Sequence, residues 1–152
     1  MANRITAVQE CDARDDAQGW NAGNQKIIND YSMNYLSIEP FIPSGKDFDK
    51  SKQLFLELGF SIDWDGGELV GFKNGNCKFI LQKYDNKAFA ENLMLSVKVT
   101  DINEFWNAIN KKNLSEKFGI APITQPIQQP YGKEVNIIDI AGVCWHFIEE
   151  LS

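Results

Sequence analysis

The sequence predicts an α+β fold made of two βαβββ units. Three observations carry this. Two amphipathic helix patterns begin at corresponding aspartates, Asp47 and Asp101. Each follows one strand-like segment and precedes three more. Glycine-rich turns of hairpin type separate the later strands.

Residues 1–32 stand apart. "QECDARDDAQGWNAGNQ" is polar and has no apolar period. It reads as an arm, flexible or carrying a short helix at "NQKIINDYSM". The folded domain is expected over 33–152, with units at about 34–86 and 91–150.

"NYLSIEPFI" opens the first unit as a strand. Pro40 and Pro43 cannot donate ladder bonds, so this strand is an edge or breaks at Pro40. "DFDKSKQLFLELGF" follows as a helix with Asp47 as N-cap, one face of Phe48, Ser51, Leu54, Phe55 and Leu58, and Gly59 at its stop. "FSIDW", "LVGFKN" and "CKFILQKY" are three short strands, joined by "DGGE" and "NGN". The second unit opens with the strand "NLMLSVKV". The helix "TDINEFWNAINKK" is capped by Asp101 or Thr100, with Ile102, Phe105, Trp106 and Ile109 on one face. "APITQPI" is a candidate strand in the long connection that follows, and "KEVNIIDI" and "GVCWHFIEE" close the chain as a hairpin.

Composition narrows the function. Net charge is −6 and the lysines and arginines are scattered, so no basic stripe marks a nucleic-acid partner. No apolar run approaches the ~18 residues of a membrane span. The N-terminus lacks the basic start and apolar run of a secretory leader, and a cytoplasmic protein is expected. Cys11, Cys77 and Cys144 are the three cysteines, with no CxxC spacing. That argues against a disulfide framework or structural zinc; Cys77 and Cys144 read as small buried hydrophobes. No nucleophile elbow, no phosphate-cradling glycine loop and no Cys–His pair near in sequence stands out.

The order and spacing of these segments resemble the vicinal oxygen chelate superfamily, which holds glyoxalase I, extradiol dioxygenases, fosfomycin-resistance enzymes and bleomycin resistance proteins. "KDFDKSKQLFLELGFSIDWDGGELVGFKNGN" resembles the first half of a bleomycin resistance protein. "SVKVTDINEFWNAI" resembles the second strand and helix, and "PYGKEVNIIDIAGVCWHFIEE" the closing motif. The similarity covers about 35–150. The closing Asp-Pro-Asp-Gly of the family is here Asp139-Ile140-Ala141-Gly142. The resemblance implies a curved mixed sheet around a cavity.

It also implies four metal-ligand positions. Counting from the helix starts and from Gly142 puts these at Glu39, Ile80, Met94 and His146, the last being the only histidine in the chain. Isoleucine and methionine do not hold hard or borderline divalent ions, so neither a metal nor another cofactor is expected. This agrees with the metal-free bleomycin resistance branch.

Strand alternation extends the candidate site. Glu39 would bring Ser37 and Phe41 to its face, Met94 would bring Ser96 and Lys98, and His146 would bring Cys144 and Ile148. Trp64, Phe72 and Tyr131 are further candidate walls. An aromatic on a half-buried strand is core more often than wall, and this weighs on Phe41 and Phe72. Glu39, in an apolar strand beside a proline, must face solvent or find a partner. His146 beside Glu39 would tune a proton acceptor.

The ligand-binding set is thus Glu39, Phe41, Trp64, Phe72, Ile80, Met94, Ser96, Tyr131 and His146. It is expected to sequester an apolar or cationic, aromatic-friendly small molecule without covalent chemistry, in a cavity or the cleft of a homodimer. A metal-dependent lyase, isomerase or dioxygenase of the same superfamily is the alternative. An interaction module using the 1–32 arm is a third reading.

Overall fold

The computed structural model describes residues 33–152, so the arm expected over 1–32 lies outside the described residues. Residues 33–36 are exposed and irregular, and Ser37–Ser152 hold every described element.

The first βαβββ unit begins with β1 (Phe41–Pro43). The longer strand expected from residue 34 is cut short at Pro40, whose carbonyl still accepts from the Ile80 amide at 2.9 Å. Helix α1 (Phe48–Glu57) starts where Asp47 accepts a hydrogen bond from the Lys50 amide at 2.9 Å. Its buried face is Phe48, Ser51, Leu54 and Phe55. The chain leaves α1 through Gly59 at φ 96°, a conformation glycine adopts without strain. Strands β2 (Ser61–Asp65), β3 (Leu69–Asn74) and β4 (Cys77–Gln82) then run antiparallel. A bulge between Ile62 and Trp64 re-aims the edge strand. β1 pairs parallel with β4, giving the order β1-β4-β3-β2 and leaving β1 on the edge that its prolines require.

A short helix α2 (Lys87–Glu91), capped by Asn86, joins the units. The second unit repeats the plan with β5 (Met94–Lys98) and α3 (Ile102–Asn110). Asp101, not Thr100, caps α3 by accepting from the Glu104 amide at 2.8 Å. The Ile102 amide at the same helix start donates to Glu149 at 2.8 Å, tying α3 to the last strand. Helix α4 (Leu114–Phe118), β6 (Ile127–Gln129), β7 (Gly132–Ile138) and β8 (Cys144–Glu150) follow. β5 pairs parallel with β8, and the order is β5-β8-β7-β6. The α+β expectation of two βαβββ units holds, and the strands form two four-stranded mixed sheets.

One buried core serves both units. Phe55, Phe60 and Phe79 of the first meet Trp145 of the second, with Phe55 and Trp145 ring centres 5.1 Å apart, and Phe72 packs on Phe55 and Phe79. The β7–β8 turn is held by Asp139, 4% exposed. Its carboxylate accepts from the amides of Ala141, Gly142 and Val143 and from the Trp145 indole, at 2.9 to 3.0 Å. Burial pushes this carboxyl above the usual range, and those four donors only partly offset it.

Gly132, at the start of β7, has φ 151°, and a Cβ there would collide with the Glu149 carbonyl oxygen of β8. Gly132→Ala is expected to cost about 2 kcal/mol or more in urea unfolding, from backbone strain together with the clash. A loss below about 0.5 kcal/mol, the scatter of neutral surface changes, would show that the two strands are not this close.

Candidate functional site

Packing of Trp145 and Phe147 into the core turns Cys144, His146 and Ile148 of β8 to the opposite face of the sheet. The register places Met94, Ser96 and Lys98 of β5 on that face, directly across from these three. On the other flank stand Ile138, Asn136 and Glu134 of β7, opposite the same residues in order. The middle of the face is therefore polar and its rim apolar, with Met94 68% exposed and Ile127 and Ile138 also open.

Glu134 is the centre of this face. It is only 5% exposed. Its carboxylate accepts from the Tyr131 hydroxyl at 2.7 Å, the Asn136 amide at 3.3 Å and the Gln129 amide at 3.4 Å. His146 Nδ1 lies 3.6 Å away. Burial pushes the carboxyl upward, but Tyr131, Asn136 and His146 outweigh it and hold Glu134 below its ordinary value. The bond to this anion pushes the Tyr131 hydroxyl above its own usual value. The other imidazole nitrogen, Nε2, lies 3.3 Å from Cys144 Sγ.

Three sequence expectations change here. Glu39 does not partner His146: it accepts from Ser37 at 2.9 Å and lies 3.9 Å from Lys78. Glu134, unmarked in the sequence reading, stands beside His146 instead. A Cys–His pair close in sequence is present after all, because Cys144 and His146 are neighbours on one face of β8. Cys77 and Cys144 are free thiols, and both are partly exposed rather than buried.

The first sheet has its own open face. Phe41 pairs with Ile80 there and is 53% exposed. Trp64 lies across Gly71, where a Cβ would collide with the indole. A line of charges crosses the same face: Glu39, Lys78, Asp63 and Lys73, with Asp63 ion-paired to Lys73 and held below its usual value by it. Phe72 faces the other way. It is 1% exposed and stacked on Phe79 at 5.2 Å, so its place is the core and not a cavity wall.

The metal positions implied by the fold do not fit an ion. Ile80 and Met94 offer no suitable donor, and Glu39 is committed to Ser37 and Lys78. Among the described residues no group of three or more His, Cys, Asp and Glu side chains is placed to hold a metal. Two cavities, about 270 and 210 Å³, lie where the beginning of β4 faces β5, the first against its end at Val97 and Lys98 and the second against its middle at Leu95 to Val97. Both are lined by Phe60, Cys77 and Val97, and neither by a carboxylate or histidine. Of the expected site residues only Ser96 borders one. The polar groups converge on the sheet face, so the candidate site is placed there. No helix of the described residues is long and apolar enough to cross a membrane.

The fold has counterparts among solved structures. The bleomycin-binding protein of Streptomyces verticillus, complexed with copper(II)-bleomycin, aligns with a TM-score of 0.64 at 20% identity, over 78% of this chain and 99% of that one. The bleomycin resistance determinant of transposon Tn5 aligns at 0.59 and 20% identity, over 76% and 98%. TnmS3, an antibiotic binding protein of Streptomyces sp. CB03234, aligns at 0.60 and 16% identity, over 80% and 99%. No family model and no curated protein sequence matches the chain. The chain has the vicinal oxygen chelate fold, in the form seen in bleomycin-binding and glyoxalase/bleomycin resistance proteins.

A carboxyl whose folded-state pKa lies below its unfolded value adds stability above the unfolded value and loses it as pH falls through the folded one. Glu134 is such a group, so its contribution is present near neutral pH and disappears below the ordinary glutamate range. Glu134→Gln is expected to flatten the acid limb of a melting-temperature profile relative to the parent. Parallel profiles would mean that its neighbours do not favour the anion.

Proposed function

We propose that this chain is a small-molecule binding protein that sequesters its ligand against the open sheet faces, with no metal or cofactor and without turnover. The observation that carries this reading is the face built on Glu134. A carboxylate kept anionic by Tyr131, Asn136 and His146 sits among open apolar side chains. Such a surface suits a ligand that combines a cation with flat or apolar bulk. Aromatic faces at Trp64, Phe41 and Tyr131 would hold the bulk by stacking and cation–π contact.

The fold likeness supports the same reading, because bleomycin-binding and antibiotic-binding proteins share this architecture. The open faces also support a homodimer. Phe41, Trp64, Met94 and Ile127 remain open in one chain, and a second copy would convert these half-walls into clefts. The free thiols of Cys77 and Cys144 fit a reducing compartment such as the cytoplasm.

Titration calorimetry with bleomycin and a panel of cationic aromatic compounds tests the proposal. At least one is expected to bind saturably. Trp64→Ala is expected to weaken that binding about 2- to 30-fold, the range of one cation–π contact worth ~0.5–2 kcal/mol. Absence of saturable binding across the panel would overturn the sequestration reading.

A further inference from the structure

We infer that Cys144, His146 and Glu134 form a thiol–imidazole–carboxylate relay that makes Cys144 a site of covalent capture for apolar α,β-unsaturated carbonyl compounds. This goes beyond reversible binding. It rests on the relay's own geometry and not on the identity of any sequestered ligand.

The three groups stand in the order that nucleophilic chemistry needs. Sγ of Cys144 lies 3.3 Å from Nε2 of His146, within reach of proton transfer. Nδ1 of the same ring lies 3.6 Å from Glu134. With Nδ1–H turned toward that carboxylate, Nε2 is left as the acceptor facing the thiol. Glu134 is itself fixed by the Tyr131 hydroxyl and the Asn136 amide. It acts as a positioning residue, and His146 takes the proton.

The other charged and titratable groups around Cys144 set its resting state. Burial pushes the thiol upward, and the carboxylates of Glu134 and Asp139 add to that. On β5, Lys98 shares the face but is paired with Glu150 at 2.7 Å. Glu91 of α2 lies against the turn at Gly142. The resting sulfur is therefore a thiol, and reaction depends on His146 removing its proton as the sulfur attacks.

The surroundings choose the electrophile. Acyl transfer concentrates a full charge on one oxygen and needs free donors to hold it, whereas the enolate of a conjugate addition spreads its charge over oxygen and the α-carbon and depends on them less. The Cys144 amide already donates to the Leu93 carbonyl at 3.1 Å, and the amides of Ala141, Gly142 and Val143 are taken by Asp139. Conjugate addition has no leaving group to release. The Cys144 proton passes to Nε2, and the sulfur pair forms a bond to the β-carbon. The C=C π pair moves toward the carbonyl as an enolate, and the imidazolium returns the proton to the α-carbon. Atoms and electrons balance without an oxidant or second substrate. Met94 and Ile138, the ladder partners of Cys144, give the flanks an apolar character.

The test uses N-ethylmaleimide as probe and peptide mass mapping of the full chain. Cys77 serves as internal control, since it is also a partly exposed free thiol and no histidine lies near it in the chain. At about pH 7, Cys144 is expected to react at least ~10-fold faster than Cys77. His146→Asn is expected to remove that advantage and leave a rate that climbs with pH as an ordinary thiol's does. Glu134→Gln is expected to lower the rate and steepen the pH profile, with Glu134→Asp restoring part of it. Melting curves verify that each variant is folded. A wild-type Cys144 no faster than Cys77 overturns the relay without any variant, and so does an unchanged rate in folded His146→Asn. Either failure leaves reversible binding of cationic aromatics standing, because calorimetry with those compounds does not depend on the thiol.

Discussion

The aromatic cluster at Phe55 is the constraint on which the rest depends. Its ring centre lies 4.8 Å from Phe79, 5.1 Å from Trp145, 5.7 Å from Phe72 and 6.3 Å from Phe60. These rings come from α1, three segments of the first unit and the last strand of the second. Truncating a buried ring of this kind typically costs about 3–5 kcal/mol. The geometric consequence matters more for function. Once Phe79 and Leu81 face the cluster, Lys78, Ile80 and Gln82 must face outward. Once Trp145 and Phe147 do so, Cys144, His146 and Ile148 must face outward. The candidate site is the remainder left when the core has chosen its residues.

Two carboxylates on neighbouring elements show how surroundings divide structural from functional roles. Asp139 accepts from three backbone amides and an indole within a turn, and burial still drives it upward. Its donors are consumed locally, and its work is to shape the turn that lets β8 return beside β7. Glu134 is as little exposed at its surface but lies far less deep in the protein, and a hydroxyl, an amide and an imidazole hold it on the anionic side. Those three donors are side chains on an open sheet face, where an incoming ligand can rearrange them. That difference is why the binding proposal is centred on Glu134.

Much of the fold was legible because its signals are local. Asp47 and Asp101 stand where caps should, the apolar spacings of α1 and α3 are helical, and "NGN" marks its hairpin. The short helices α2 and α4 were not, since five residues hold too little periodicity to read. The chain reaches α4 through Asn113 at φ 49°, which no apolar pattern signals. The site was less legible because it is built by pairing between strands. "KEVNII" shows a glutamate in an apolar strand, but only the β7–β8 register sets it beside His146. Phe72 could be placed on either face of "LVGFKN" until pairing with Phe79 fixed it in the core. Glu39 drew attention as a lone carboxylate, yet Lys78, its partner, sits on a strand far along the sequence.

The central claim is that alternation forced by the core creates a ligand-binding face around Glu134. The most direct test is a backbone amide NMR titration of the protein with metal-free bleomycin. The account predicts saturable shifts on the open sheet faces, around Met94, Glu134 and His146 of β5, β7 and β8 and around Trp64 of β2. Saturable shifts confined to the groove at Phe60, Cys77 and Val97 would contradict it, as would a spectrum that does not change.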